Sequence, residues 1–586
     1  MNKKDLILNI LLFISQIIVF YYFFCYLFPF KEQLQMFQFP SQYLTETLKQ
    51  AGGVAIYISE FLSQFYVVFW TGPIISALLL TLVALLSSLI LKKINSRNDL
   101  PLIFLLPWLS LLIISLDYDY YEQGTIAYLF LLLFLWLYTN IKTRIKFIYG
   151  ICIIPILYGI AGPIVHLFAI SALFFEFLTN GKKKYISIIY LLIAALSAIA
   201  GTYLGYSRNL TLAFLPEAYC NPLQTVSGIY YAWYALPMTM LLVAYLKRYK
   251  EPVSLKGKCI WEGAQWAIMF LLVYQGIFHF GKLDAQHSMK QDYLLRTEQW
   301  DLVISEFNHD VLSKRRMCGL NLALAHKGQL SERLLDYPQH GIETLMLHWD
   351  QSIYTAQLHS DLYYCMGIIS AAQKFAFEAF VSSRSSGNPR MLKRLIETNL
   401  ITGSYPIADK YIQLLEKTWF YKDWATAHRR FLYNDKAVEE DKILGMKRRC
   451  WKAEASAAKL YTDPVSSLIN LLPACPDNKA GLAYLTSFLL LNKDIETYKT
   501  LQESLYRSPA WRDMTECQQE AIVICSPNDP HFWLEHGVSI KVRNRAIAFM
   551  QKVQDVSRSG QNLAVALASE YGKTYWYYYM FNMMDK

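Results

Sequence analysis

"YGIAGPIVHL", residues 158–167, lies inside an apolar run from about 147 to 179, and its reading decides how often the chain crosses a membrane. The glycines and proline of "GIAGP" either break one tilted segment or turn the chain sharply between two short helices. Hydropathy alone does not choose between them. The placement of Lys and Arg does, because short inner loops carry the excess of positive charge.

With a turn at 159–163, the apolar runs make nine candidate spans, at about 6–29, 66–91, 101–116, 125–140, 147–162, 163–179, 185–205, 228–246 and 260–280. Their lengths approach the roughly 17 to 25 residues that a helix needs to cross hydrocarbon. Nine spans put Lys3, Lys4, Lys92, Lys93, Arg97, Lys142, Arg144, Lys146, Lys182–Lys184, Lys247, Arg248, Lys250, Lys256 and Lys258 inside, sixteen in all. Only Lys31, Lys49, Arg208 and Lys282 then lie outside. Merging 147–179 into one span scatters this order. The first apolar run is too long for a signal-peptide core and lacks a small-residue cleavage site, so it reads as an anchor.

The division of charge agrees. Residues 1–282 carry 20 Lys/Arg and 12 Asp/Glu, whereas residues 283–586 carry 36 and 34. The first part is a membrane domain and the second is water-soluble. An odd number of spans sends the second part to the outer face, which is the periplasm if the membrane is the inner membrane of a Gram-negative cell. The N-terminus then stays cytoplasmic, and the loops 30–65 and 206–227 share the outer compartment. No nucleic-acid partner is expected.

The soluble part shows no strand-like alternation. Apolar stripes at three- to four-residue spacing recur in "CGLNLALAHKGQLSERLLDY" (318–337), "LIETNLITGSYPIADKYIQLLEK" (395–417) and "LAYLTSFLLLNKDIETYKTLQESL" (482–505), each read as helix, turn, helix. The pattern is tetratricopeptide-like without a strict 34-residue period. The expectation is an all-α protein: a polytopic bundle (1–282) followed by an α-solenoid or helical-repeat domain (283–586). The concave face of a solenoid would receive a protein or glycan partner. A compact helical bundle is the alternative.

Six of the ten cysteines fall in 283–586, and Cys517 and Cys525 lie close enough in sequence to pair or to stay as buried thiols. No paired Cys/His spacing suggests zinc, and no phosphate loop, GxSxG or HExxH is present.

What remains is acid in an unusual place. "SLDYDYYEQGT" (115–125) sets Asp117, Asp119 and Glu122 among tyrosines on the outer face. "GGVAIYISEFLSQFYVVFW" (52–70) reads as an amphipathic interfacial helix carrying Glu60, which anchoring does not require. The plain reading of the first cluster is a solvated turn with an interfacial tyrosine belt.

The layout over about the first 210 residues resembles the C-type glycosyltransferases, membrane enzymes that take sugars from polyprenyl-phosphate carriers. In that fold a first outer loop with interfacial helices holds an acid, and the outer loop between spans three and four holds an Asp-x-Asp or Asp-x-Glu pair. Here "EFLSQF", with Glu60, would be the first and "DYDYYE", with Asp117 and Asp119, the second. The family signature places its acid early in loop one, whereas this loop offers Glu32, Glu46 and Glu60. The resemblance implies Glu60 or Asp117 as base, and Asp119 orienting the sugar or holding a divalent ion such as Mg or Mn. Arg208, in "LGYSRNLT", would pair with the phosphate. His166 in span six reads as a packed histidine or a substrate contact.

The whole chain also resembles an uncharacterised family of bacterial multi-pass proteins with a helical outer domain, through "EFLSQFYVVFWTGPIISALLL" (60–80), "EQWDLVISEF" (298–307) and "LNLALAHKGQL" (320–330). Two further functions stand beside transfer. One is a membrane-anchored scaffold for envelope partners. The other is a transporter, for which the spans offer only His166, Glu176 and Glu262.

Overall fold

The computed structural model describes residues 3–97, 100–179, 185–221, 226, 228–249, 254–306, 313–384, 387–455 and 463–582. Among these, every regular element is a helix, and the one β feature is an isolated antiparallel bridge between Tyr120 and Cys220. Two compact units result. The first holds residues 1–289 with 417–420, and the second holds 290–416 with 421–586. The boundary falls a few residues beyond the charge shift at 282. Lys182, Lys183, Lys184 and Lys250, part of the basic inner-loop pattern, lie outside the described residues.

The first unit opens with α1 (Lys3–Phe23), whose lipid-facing Leu6, Ile7, Ile10 and Leu11 are exposed. The loop that follows is itself structured, as α2 (Leu27–Glu32), α3 (Ser41–Leu48) and α4 (Gly53–Ser63). Then come α5 (Thr71–Ile94), α6 (Leu106–Ser115), α7 (Glu122–Asn140), α8 (Thr143–Ala161), α9 (Val165–Leu178), α10 (Ile189–Tyr203), α11 (Leu210–Phe214), α12 (Gly228–Leu246) and α13 (Leu255–Phe280). By length and composition, five helical segments can cross a membrane: Leu6–Phe23, Thr71–Ile94, Glu122–Asn140, Ile145–Leu178 and Gly228–Leu246. The bent pair around α13 raises the number to six. Lys92 and Lys93 close α5, where cations suit both the helix C-terminus and a membrane surface.

Ile145–Leu178 is a hairpin and not one long rod. Lys146, near the start of α8, lies 2.5 Å from Glu176, near the end of α9. A continuous helix would hold residues thirty apart at about 45 Å. The reversal occurs at Gly162, whose φ of 80° and ψ of −146° suit glycine alone. Tyr219 fixes the corner, donating its hydroxyl to the Ala161 carbonyl at 2.6 Å and accepting the Ile164 N–H at 3.1 Å.

The second unit is helical throughout its described residues. Side-chain caps start its helices: Ser313, Ser352, Asn388, Asp463, Asn478, Asp494 and Ser539 each accept a backbone N–H from the first turn. Consecutive helices Ile353–Met366, Ile369–Ser382, Pro389–Thr402 and Tyr405–Glu416 pack on one another in chain order. A half-buried ion network joins the set, with Asp361 between Arg390 and Arg394 and Asp292 on the far side of Arg390. Cys517 and Cys525 share the single helix Glu516–Cys525, eight residues or about 12 Å apart, so they cannot form a disulfide with each other.

Candidate functional site

Four segments far apart in sequence meet at the ends of α6 and α7. The chain leaves α6 through 116–121, where the Asp117 carboxylate accepts the Asp119 N–H at 2.9 Å, the local bond that favours aspartate in turns. Residues 119–121 then lie against 219–221. Tyr121 donates its N–H to Tyr219 and Asn221 donates to Asp119, each at 2.9 Å. Asn221 adds its side-chain amide, which donates to Asp119 Oδ1 at 3.0 Å.

Two lysines complete the group. Lys282, just past α13, places Nζ 3.0 Å from Asp117 Oδ2 and 3.6 Å from Asp119 Oδ2, and 4.3 Å above the Tyr118 ring. Its φ of 40° is one that L-residues rarely adopt, so the turn holding it is strained. Lys31, on α2, is buried and donates to the Ser115 carbonyl at 2.9 Å. Burial pushes its pKa down, while Glu122, Asp117 and Asp119 support its charge. Burial also opposes the charge of Lys282, but Asp117, Tyr118 and Asp119 together outweigh it and the pKa rises.

The solvated-turn reading fails here. Asp117 is 4%, Asp119 0% and Glu122 3% exposed. Buried carboxylates need compensation by charge or hydrogen bonds, and the lysines and Asn221 provide it. Glu122, read with the two aspartates as part of a solvated turn, opens α7. Instead it faces inward, hydrogen-bonded to Tyr66 and close to Lys31, while its Oε1 has no hydrogen-bond partner among the described residues. Tyr66, entirely buried just before α5, also lies 3.4 Å from the Ser76 hydroxyl.

The other predicted residues are placed differently. Glu60 is buried on α4 and accepts the hydroxyl of Tyr43 from α3. Arg208 is exposed on the loop after α10 and makes no contact with the carboxylates among the described residues. His166 stacks on Phe214, with ring centres 4.8 Å apart and planes within 10°, as a packed histidine. The tentative metal at Asp119 does not fit. No cluster of three or more His, Cys, Asp or Glu side chains suited to an ion occurs among the described residues, and a lysine already neutralises the pair.

Near this group, α8 and α10 enclose an apolar groove of about 610 Å³, lined by Pro155, Tyr158, Leu196 and Leu204 and rimmed by Gln50 and Tyr206. Its wall at Ala51 and Gly159 backs onto Gly52, whose N–H is shared by the carbonyls of Tyr158 and Gly159 at 3.2 and 3.1 Å. A Cβ on Gly52 would come within 3.2 Å of Gln123 Nε2, so only a glycine separates the groove from the neighbour of Glu122.

The residues missed in the sequence were the counter-charges. Lys31 and Lys282 were two of only four outer cations, so the asymmetry that singled out Arg208 pointed to them equally.

These features define an all-helical membrane protein with a buried, lysine-compensated acid cluster. The chain belongs to a family of unknown function, DUF6057, whose pattern it matches over residues 2–582. No curated protein and no solved structure matches it.

Proposed function

We propose that this protein is a C-type glycosyltransferase that moves a sugar from a polyprenyl-phosphate carrier to an envelope acceptor on the outer face of the inner membrane. One observation carries the reading. Lys31, Asp117, Asp119, Glu122 and Lys282, from segments up to 251 residues apart, are gathered beside an apolar groove, with one buried carboxylate oxygen unpartnered. Unpartnered buried polar atoms are rare and ask for a role.

In this reading α1, α5, α6, α7, α8, α9, α10, α12 and α13 are nine spans, and the α8–α9 hairpin makes the count odd. The groove takes the carrier's hydrocarbon chain. Glu122 takes the acceptor proton, since its Oε1 is free to receive it. Lys31 and Lys282 face the departing phosphate and stabilise the charge that develops there. Asp117 and Asp119 hold Lys282 in place, and Asp119, fixed by Asn221, orients the sugar. Positive charge comes from lysine, so no step runs through a metal ion. Arg208 has no role at this centre. Residues 290–586, read as an irregular solenoid, present the acceptor or its protein carrier.

The test uses membranes from cells lacking the gene, complemented with wild type or with Asp119→Asn, and supplied with radiolabelled polyprenyl-phosphate sugars. Label passing from lipid to a polar product only with the wild type supports the reading. Equal transfer by both at equal abundance sinks it. The scaffold reading is favoured by the near-complete burial of Asp117 and Asp119, which an interior clamp explains without chemistry, and it predicts unchanged surface glycans in both strains.

A further inference from the structure

Cys450 lies on the helix Lys442–Ala455, and Cys475 directly follows the short 3-10 turn Leu472–Ala474. Both are buried, 0% and 1% exposed, in a small apolar cluster with Leu471 and Met446. The two thiols are close enough to influence each other's ionisation, and the Cys475 thiol also donates to Asp477 Oδ1 at 3.5 Å. The Cys450 sulfur also lies 3.9 Å from Met446 Sδ. On the outside of the same junction, Arg449 and Asp477 form an ion pair at 2.6 Å, which ties together the two backbones that carry the cysteines.

The remaining cysteines of this unit are engaged differently. Cys318 donates to the Glu343 carbonyl at 3.1 Å and Cys525 to the Ala521 carbonyl at 3.4 Å. Cys517 and Cys525 are held apart on one helix.

We propose that Cys450 and Cys475 form a disulfide in the mature protein, closing the chain between the two helices they flank. The proposal rests on the outer-face reading, because disulfides persist in oxidising compartments. Two cysteines buried in one small cluster, on segments tied by the Arg449–Asp477 pair, are placed where a modest adjustment can reach bonding geometry.

The step balances as thiol–disulfide exchange. During folding, before burial, the thiolate of Cys450 attacks the disulfide of an envelope dithiol oxidoreductase, forming a mixed disulfide and releasing one thiol of that enzyme. The thiolate of Cys475 then attacks the Cys450 sulfur and releases the second. This chain gives up two thiol protons and two electrons, and the oxidoreductase is reduced to its dithiol.

The full chain, purified from its membrane without reductant, is denatured and alkylated before and after reduction. Of ten cysteines, the bonded two should resist alkylation until reduction, and a peptide joining Cys450 to Cys475 should appear by mass spectrometry. Cys450→Ser should leave Cys475 reactive, whereas Cys365→Ser should leave the joined peptide intact. Ten reactive thiols before reduction in the wild type overturn the proposal. A reporter fused after residue 300 reads orientation separately. Free thiols with an exported reporter overturn the disulfide alone, and free thiols with a retained reporter overturn the outer-face reading too.

Discussion

Lys282 lies 3.0 Å from Asp117, although 165 residues separate them in the chain. The contact fastens the end of the last long apolar helix to the loop between α6 and α7. It therefore acts as both a lock on the fold and a source of positive charge at the acid cluster.

Replacing Lys282 by Met should destabilise the protein by about 1–3 kcal/mol, less than a wholly buried pair because the lysine side chain is partly solvated. Asp117 and Asp119 would then face each other without their counter-charge. Adding Asp117→Asn to that variant should recover part of the loss, with a coupling of about 0.5–3 kcal/mol. Thermal unfolding in detergent of the two single variants and the double variant measures it. Strict additivity would show that the pair does not hold the loop.

Gly124→Ala tests how the cluster is aimed. A Cβ there would sit 2.5 Å from the Tyr120 hydroxyl and 2.6 Å from its ring. Tyr120 bridges to Cys220, next to the Asn221 that holds Asp119. The methyl must push the ring and with it the 119–221 pairing. Activity should fall at least about tenfold with the lysines and carboxylates untouched, an effect of small displacements on positioned groups. Wild-type transfer would place Asp119 outside the reaction.

The sequence disclosed the membrane part through apolar length, and its Lys and Arg pattern favoured a turn at 159–163. The hairpin at Gly162 follows from both, and Lys146 beside Glu176 is its structural signature. The adjacency of Asp117 and Asp119 was legible because they are neighbours in the chain. Their partners were not, because Lys31, Asn221 and Lys282 arrive from other loops and no local pattern reports a contact across 165 residues. Glu122 was misread for a related reason. A carboxylate at a helix N-terminus beside a membrane is usually solvated, and only Tyr66 and Lys31 reveal that this one turns inward. In the second unit, helix starts were legible from their Ser, Asn and Asp caps, whereas the Asp361–Arg390–Arg394 network was not.

Glu520 should make the second unit less stable as pH rises. It is buried on the helix Glu516–Cys525 and accepts the Tyr575 N–H at 2.6 Å, and burial pushes its pKa from 4.5 up to about 7. The folded state therefore binds this proton more tightly than the unfolded state. Its contribution is full below pH 4.5 and is lost progressively as pH rises to about 7, a total of about 3 kcal/mol. Hydrogen exchange at amides 516–525 should accelerate between pH 5 and 8, after correction for the intrinsic rate, by much more in wild type than in Glu520→Gln. Equal pH dependence in the two would mean that the carboxyl ionises normally.

Orientation has its own readout. On the nine-span reading, which sets sixteen basic residues inside and four outside, a reporter fused after residue 300 should behave as exported and one fused at residue 145 as cytoplasmic. An active cytoplasmic enzyme fused after residue 300 would overturn the outer-face reading and every role assigned to the outer loops.

The last prediction sets chemistry against architecture at Glu122. If its unpartnered oxygen takes the acceptor proton, Glu122→Gln should reduce transfer at least about a hundredfold, since a positioned general base contributes about 10²–10⁴ in rate. The amide keeps the size of the side chain and removes the charge, so Lys31 loses part of its support and stability should fall by about 1–3 kcal/mol. Asp119→Asn provides the comparison: it weakens sugar orientation and its bond to Lys282, yet leaves the base in place. Glu122→Gln should therefore flatten the acidic limb of the pH–rate profile, while Asp119→Asn should lower the rate across the whole profile and keep its shape. Two profiles of wild-type shape and height, measured at matched protein abundance, would leave the cluster as a buried clamp and give the scaffold reading its place.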